Sequence, residues 1–327
     1  MPKRDPLTLG IDLGGTKILT SIVNPQGEML SWVQTITPAA KEPEGVIEAM
    51  LASARRAFEE ASIEMDMVTA VGVGAPGPVD LEVGILVTPP NLPGWKDVPL
   101  RDILQEKLKK QVFLINDASA AALGEYYFGA AKGVNHFIYV TISTGIGGGI
   151  VIDGKILNGY KGMAGEIGHM TISDEGPPCH CGNQGCWEAL ASGTALAKAA
   201  KKQIELGADT TILSFADGKI ENVTAQAVHS AAEKGDPIAN QLILKTAYYF
   251  GVGLANLINI FNPEMIVIGG GLSNIGDRLL KPAYEVAGKR AFNRAYRVVR
   301  FVHAALGRNS GVLGAAAFAY HEMRRKN

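Results

Sequence analysis

Leu7 to Lys17 reads LTLGIDLGGTK, and Phe137 to Gly149 reads FIYVTISTGIGGG. Each stretch is an apolar strand that empties into a glycine-rich loop carrying hydroxyl side chains. Around the first, Leu7 to Ile11 predicts a strand, Ile18 to Val23 a second, Asn24-Pro25-Gln26-Gly27 a turn and Glu28 to Thr35 a third strand. Around the second, the strand Phe137 to Ile142 and the loop Ser143 to Gly149 lead to strands at Ile150 to Ile152 and Lys155 to Leu157, joined through Asp153-Gly154. Farther on, Met265 to Ile268 with its exit Gly269-Gly270-Gly271 echoes Val68 to Gly74 and the loop that follows it. Two copies of one β-β-β-α-β plan predict an α/β chain of two similar domains facing each other across a cleft.

The first loop gathers backbone N–H groups and the Thr16 hydroxyl around the Asp12 carboxylate. Such a loop can cradle phosphate oxygens while the carboxylate holds Mg2+. A plain hairpin turn accounts for Gly14-Gly15 equally well. Outward from the loops, Pro43 to Ala61 places Val46, Ile47, Met50, Leu51, Ala54 and Phe58 at helical spacing. Leu100 to Lys109 is a second helix. The strand Val112 to Ile115 delivers Asn116-Asp117 at its carboxyl end, ahead of an Ala-rich helix from Ala118 to Tyr127. Ligands bind at strand carboxyl ends in open α/β sheets, which makes Asp117 a candidate for chemistry. Its alternative is an N-cap. Helical sequence fills Thr194 to Asn259, where Gly251 and Gly253 either admit close helix-to-sheet packing or fall there by chance. Val298 to Ala304 predicts a last strand and Val312 to Arg324 a last helix.

All three cysteines, Cys179, Cys181 and Cys186, lie within eight residues, and His169 precedes them. One imidazole and three thiolates form a closed set suited to structural Zn2+. Buried free thiols used as core filler, or a disulfide with one sulfur left over, are the competing readings. With the ion held by His169, Cys179, Cys181 and Cys186, the carboxylates Glu166 and Glu188 remain at the edges of the site for a substrate.

Composition sets limits on the rest. A chain of 327 residues is long enough for two cores. Its net charge of -1, with a single basic run at Arg324-Arg325-Lys326, offers no nucleic-acid face. No apolar run is long enough to span a bilayer, and Met1-Pro2-Lys3-Arg4-Asp5-Pro6 does not read as a secretory leader. A cytoplasmic protein is expected.

DLGGTK at 12 to 17, ND at 116 and 117, STGIGGG at 143 to 149, GEIGH at 165 to 169, CHCGNQGCWE at 179 to 188 and IGGG at 268 to 271 occur in order along nearly the whole chain. Together they resemble the ROK family (repressors, open reading frames, kinases) of sugar kinases, and the loop Pro90-Asn91-Leu92-Pro93-Gly94-Trp95 resembles its glucokinase branch. The resemblance implies a two-domain actin-like ATPase, ribonuclease-H-like fold carrying a zinc knuckle at 165–188. The smaller domain would comprise 1–117 plus 312–327, the last helix returning to it, and the larger domain 118–311. It further implies ATP-dependent phosphorylation of a hexose at the 6-hydroxyl, with ATP, Mg2+ and structural Zn2+ as cofactors and a homodimer or larger homo-oligomer as the assembly. The family's repressors carry a DNA-binding helix-turn-helix ahead of the first motif. With eleven residues before Asp12, that module is expected to be missing here.

Carried over residue by residue, the resemblance implies Asp117 as general base and Gly77, Asn91, Asn116, Asp117, Glu166, His169 and Glu188 as the hexose-binding set. His169 would serve twice, with one ring nitrogen on Zn2+ and the other on the sugar. ATP would meet Asp12, Gly14, Gly15, Thr16, Thr144, Gly145, Gly269, Gly270 and Gly271, and Asp12 would order Mg2+. Lys17 reaches a phosphate or stays in solvent. Glucose is the expected acceptor. N-acetylmannosamine, fructose, allose and glucosamine are the alternatives, and a non-catalytic sugar-sensing relative is the alternative of another class.

Overall fold

The computed structural model describes residues 6–40, 42–89 and 91–326. The leader reading on Met1 to Asp5 and the residue Pro90 of the 90–95 loop lie outside them. The chain divides into two compact units, one of Met1–Tyr139, Gly148–Gly165 and Val302–Asn327, the other of Val140–Gly147 and Glu166–Phe301.

In chain order, β1 (Leu7–Leu13), β2 (Lys17–Val23) and β3 (Val33–Ile36) form a meander, followed by α1 (Pro43–Ala61) and β4 (Val68–Ala75). A small hairpin of β5 (Val79–Asp80) and β6 (Ile85–Leu86) precedes α2 (Leu100–Leu108), β7 (Gln111–Asn116) and α3 (Asp117–Phe128). The second meander is β8 (Phe137–Ile142), β9 (Ile146–Ile152) and β10 (Lys155–Ile156). Helices α4 (Trp187–Ala191), α5 (Gly193–Glu205), α6 (Ala225–Glu233) and α7 (Pro237–Phe261) then lead to β11 (Met265–Gly269). The chain finishes with α8 (Asp277–Arg290), α9 (Asn293–Val298), β12 (Arg300–His303) and α10 (Ser310–Lys326). One five-stranded sheet has the order β3-β2-β1-β4-β7 and the other β10-β9-β8-β11-β12, the same plan twice.

In the first sheet β1 runs antiparallel to β2 and parallel to β4, and β4 runs parallel to β7. Period-two alternation divides β1. Leu7, Leu9, Ile11 and Leu13 enter the core shared with Val46, Ile47 and Met50 of α1 and Leu100 and Leu104 of α2. Gly10 belongs to the opposite set, and a Cβ there would strike α10 at the Val312 carbonyl. One at Gly72 of β4 would strike the Ala315 carbonyl. Bare backbone on the strands thus lets α10 lie close, and α10 packs on β1, β4 and α3. In the second unit, Trp187 stacks on Phe250 of α7, ring centroids 5.3 Å apart. The indole lies where a side chain at Gly253 would project, and Gly251 faces the Ala283 carbonyl and Val286 of α8. The glycines therefore serve an indole and a neighbouring helix, neither the helix-to-sheet contact nor the chance placement the sequence left open.

Several boundaries moved for local reasons. The third strand begins at Val33 instead of Glu28, because the Ser21 hydroxyl donates to the Ser31 carbonyl and the Ile22 N–H to the Ser31 hydroxyl, interrupting the ladder. The loop expected over 143–149 shrinks to a turn closed by Ser143 N–H to the Gly145 carbonyl at 2.9 Å, and β9 starts at Ile146. Gly149 is then a strand residue against α3, where an added Cβ would stand 2.8 Å from the Ala118 carbonyl. The last expected strand is split between the end of α9 and β12. Helix α8 was not anticipated at all.

Candidate active site

In the first unit the strand tips bring two aspartates together. Asp12 pairs with Gly74 across β1 and β4, and Gly74 pairs with Ile115 across β4 and β7, one residue before Asn116. A methyl group on Gly74 would stand 3.7 Å from the Asp117 Cα and 3.8 Å from Asp12 Oδ1. The first turn of α10 closes on the same carboxylate, since a Cβ on Gly311 would lie 2.6 Å from Asp12 Oδ2. Burial pushes the Asp12 carboxyl up to about 6, against the pull of the Lys17 ammonium. A carboxylate held at that cost is suited to a cation, and its oxygens fit the chemistry of Mg2+.

Asn116, not Asp117, caps α3. Its Oδ1 accepts from Ala118 N at 3.0 Å and Ser119 N at 3.1 Å, which leaves its amide NH2 to donate elsewhere. Asp117 is the first residue of the helix, half-buried, with Oδ1 accepting from Ala118 N at 2.7 Å. The loop after β1 is closed by Gly14 N–H to the Lys17 carbonyl at 2.9 Å and fastened from outside by the Thr37 hydroxyl on the Gly14 carbonyl at 2.7 Å. Thr16 and Lys17 are exposed. Asn91 lies against this loop, with its Cβ 2.6 Å from where a Gly15 side chain would begin. Gly77 has a φ of 75°, a backbone conformation that suits glycine.

No local pattern marks Glu125. This carboxylate is fully buried and accepts from the backbone N–H groups of Ala130, Ala305 and Leu306 and from the Ser310 hydroxyl, at 2.8 to 3.0 Å. It ties the end of α3 to the start of α10, where Gly311 meets Asp12. Its partners stand as many as 185 residues away in sequence, beyond any local pattern.

In the second unit Glu166, His169 and Glu188 are gathered together. Burial raises the Glu166 carboxyl, His169 lowers it and Glu188 raises it further. Glu188 Oε2 accepts from Ile146 N at 2.8 Å, and a side chain at Gly145 would collide with it. The ligand atoms of His169, Cys179, Cys181 and Cys186 all lie within 4.8 Å of one another. His169 Nδ1 is 3.6 Å from Cys179 Sγ, and Cys181 Sγ is 3.7 Å from Cys186 Sγ. Tetrahedral Zn2+ with bonds of about 2.3 Å to sulfur and about 2.0 Å to nitrogen spaces its ligands by about 3.8 Å (S to S) and about 3.5 Å (S to N). The donor set and its spacing fit that ion. There is no disulfide.

A cavity of about 510 Å³ lies within the second unit, lined by Thr144, Lys198, Thr224, Gln226, His229 and Gly271 among others. The N-terminus of α5 forms one wall, held by Gly193 N–H to the Ser143 carbonyl at 2.7 Å. Of the glycines expected at a nucleotide, Gly271 lines this cavity. Gly270, with a φ of 89°, packs against the Ile142 backbone. The α5 and α6 contributions were missed. Ser192-Gly193-Thr194 is an ordinary helix start, and nothing in it marks a ligand. Among the described residues no helix is long and apolar enough to cross a membrane.

The ROK family model matches residues 8–322. The chain is 39% identical over 310 residues to a glucokinase of Halalkalibacterium halodurans, covering 94% of this chain and 92% of that one. It is 34% identical over 315 residues to a xylose repressor of Caldicellulosiruptor bescii, covering 96% of this chain and 78% of the repressor. Among solved structures, a ROK family glucokinase from Streptomyces griseus in complex with glucose and AMPPNP superposes with a TM-score of 0.84 at 36% identity. That match covers 96% of this chain and 99% of the other.

Proposed function

The chain belongs to the ROK family and is an ATP-dependent sugar kinase, and we propose that its acceptor is glucose, phosphorylated at the 6-hydroxyl with Asp117 as general base. The observation that carries this reading is the placement of Asp12 and Asp117 on either side of Gly74, at the tips of β1 and β7 that flank β4. One carboxylate there is suited to a cation and the other opens a helix. The similarity of nearly the whole chain to a glucokinase solved with glucose and AMPPNP supports glucose over other hexoses.

Phosphoryl transfer needs an acceptor oxygen in line with the γ-phosphorus and the developing charge spread over donors. Asp117 takes the hydroxyl proton as the bond to phosphorus forms, when that proton has become acidic. The Ala118 N–H on its Oδ1 fixes the side chain. Asn116, whose Oδ1 is occupied by capping, offers its NH2 to a sugar oxygen, and the Gly77 backbone and Asn91 complete the first unit's share. Glu166, His169 and Glu188 supply carboxylates and an imidazole, which can accept and donate to hydroxyls that do both.

For the donor, the turns at Gly14 to Lys17 and Thr144-Gly145 hold phosphates, and the cavity behind Thr144 and Gly271 takes the nucleoside. Asp12 holds Mg2+, which when bound neutralises phosphate charge. His169, Cys179, Cys181 and Cys186 hold a structural Zn2+, which supplies no chemistry beyond fixing the orientation of the His169 ring. ADP release on adding glucose, mannose, N-acetylmannosamine or fructose to the protein with MgATP tests the assignment. Glucose is expected to give the highest kcat/KM, and a better acceptor among the others would displace it.

A further inference from the structure

A second group of ligand atoms shares His169 with the thiols. Those of His169, His180 and Glu188 are all within 4.8 Å of one another. His180 Nδ1 stands 3.3 Å from Glu188 Oε1, and the two imidazole rings meet edge to face with centroids 5.4 Å apart. The tight turn of the knuckle, closed by Cys179 N–H to the Asn183 carbonyl at 2.7 Å and Gly182 N–H to the Cys179 carbonyl at 3.1 Å, fixes the backbone that carries His180. The Ile146 N–H occupies Glu188 Oε2 and turns Oε1 toward His180. His169 Nδ1 faces Cys179, so its other nitrogen is left for a second partner.

We propose that His169, His180 and Glu188 form a second, open divalent-cation site selecting borderline ions such as Zn2+, Co2+ or Ni2+, the second ion displacing the remaining ring proton of His169 to solvent so that its imidazolate is shared with the thiol cluster. Two imidazoles and one carboxylate are the donors those ions prefer, and Mg2+ does not compete for them. Nitrogen and oxygen ligands on a four-coordinate ion with bonds of about 2.0 to 2.1 Å stand about 3.4 Å apart, close to the His180 to Glu188 separation. His180 is 53% exposed, so the ion has an entry path and free coordination positions. Resting on the function proposed above, in which His169 and Glu188 bind the hexose, occupation of this site excludes the sugar. A second equivalent of a borderline ion therefore inhibits competitively with glucose.

Co2+ titration of the metal-depleted full chain tests the site directly. The first equivalent is expected to give thiolate-to-cobalt charge transfer, and the second to bind without adding to it. In His180→Asn the first equivalent and its charge-transfer band remain, which shows that the knuckle is folded, and the second is lost. In kinetics with saturating MgATP, the apparent KM for glucose is expected to double when free cobalt equals its dissociation constant, with kcat unchanged and no such rise in His180→Asn. A single equivalent in the parent chain, or a second equivalent held equally by His180→Asn, overturns the site. A second equivalent lost in the variant but without effect on the glucose KM keeps the site and overturns its overlap with the hexose.

Discussion

At the residue scale the division of labour between Asn116 and Asp117 matters most. On sequence grounds the alternative role for Asp117 is the cap of α3. The structure gives the cap to Asn116, which accepts from Ala118 N and Ser119 N, while Asp117 in the first turn accepts from Ala118 N on Oδ1. Asp117→Asn is nearly isosteric and is expected to lower kcat by about 10² to 10⁴-fold with little change in the affinity for MgATP; rapid-quench turnover and nucleotide binding on the same preparation check it. Asp12 gives a different kind of prediction. Its folded carboxyl sits near 6 against 3.8 in the open chain, so between those values the folded state binds more protons and stability falls as pH rises. The penalty is complete above about pH 6 and is absent below about pH 4. Asp12→Asn should therefore be inactive yet more stable than the parent at neutral pH, by at most about 3 kcal/mol. Urea melts should show that gap narrowing as the pH is lowered through 5. Asp12 and Asp117 were legible because each stands at a strand tip beside glycine or a helix start. Glu125 was not, because its donors at 305, 306 and 310 come from the other end of the chain.

At the element scale, apolar periodicity located α1 to the residue, since Pro43 opens it and its buried face repeats every three to four positions. It failed at α8, where Pro282 inside the helix broke the pattern a reader follows. Glycine was the more ambiguous signal. Gly149 reads as loop and lies in a strand, and Gly253 reads as either close helix-to-sheet packing or chance and admits Trp187. Gly253→Ala would force the buried indole off Phe250 and is expected to cost about 1 to 3 kcal/mol, measurable as a fall in the urea midpoint. The knuckle supports a sharper test. Burial pushes the Cys186 thiol up to about 12 and raises Cys179 as well. These thiols are therefore protonated without a cation, and zinc binding must release protons. Titrating metal-free protein with Zn2+ in weakly buffered solution should acidify it, and Cys181→Ser should abolish tight binding. Elemental analysis of chelator-free protein should find zinc, and its absence would remove the ion from the account.

For the whole molecule, the repeated meander was the most informative part of the sequence. Two sheets of order β3-β2-β1-β4-β7 and β10-β9-β8-β11-β12 are one plan used twice, and two similar glycine-exit strands disclosed it. The cavity in the second unit stayed hidden, because Lys198, Thr224 and Gln226 come from helices and a helix start whose sequences record only packing. The chain is a sugar kinase, and the proposal is that it passes the γ-phosphoryl group of ATP to a hexose hydroxyl whose proton Asp117 takes. Its most direct test is the product itself. With MgATP and ¹³C-labelled glucose, NMR should show a phosphorus-coupled carbon at position 6, formed in step with ADP and absent with Asp117→Asn. Phosphate on another carbon, or a product formed at the parent rate by Asp117→Asn, would contradict the account.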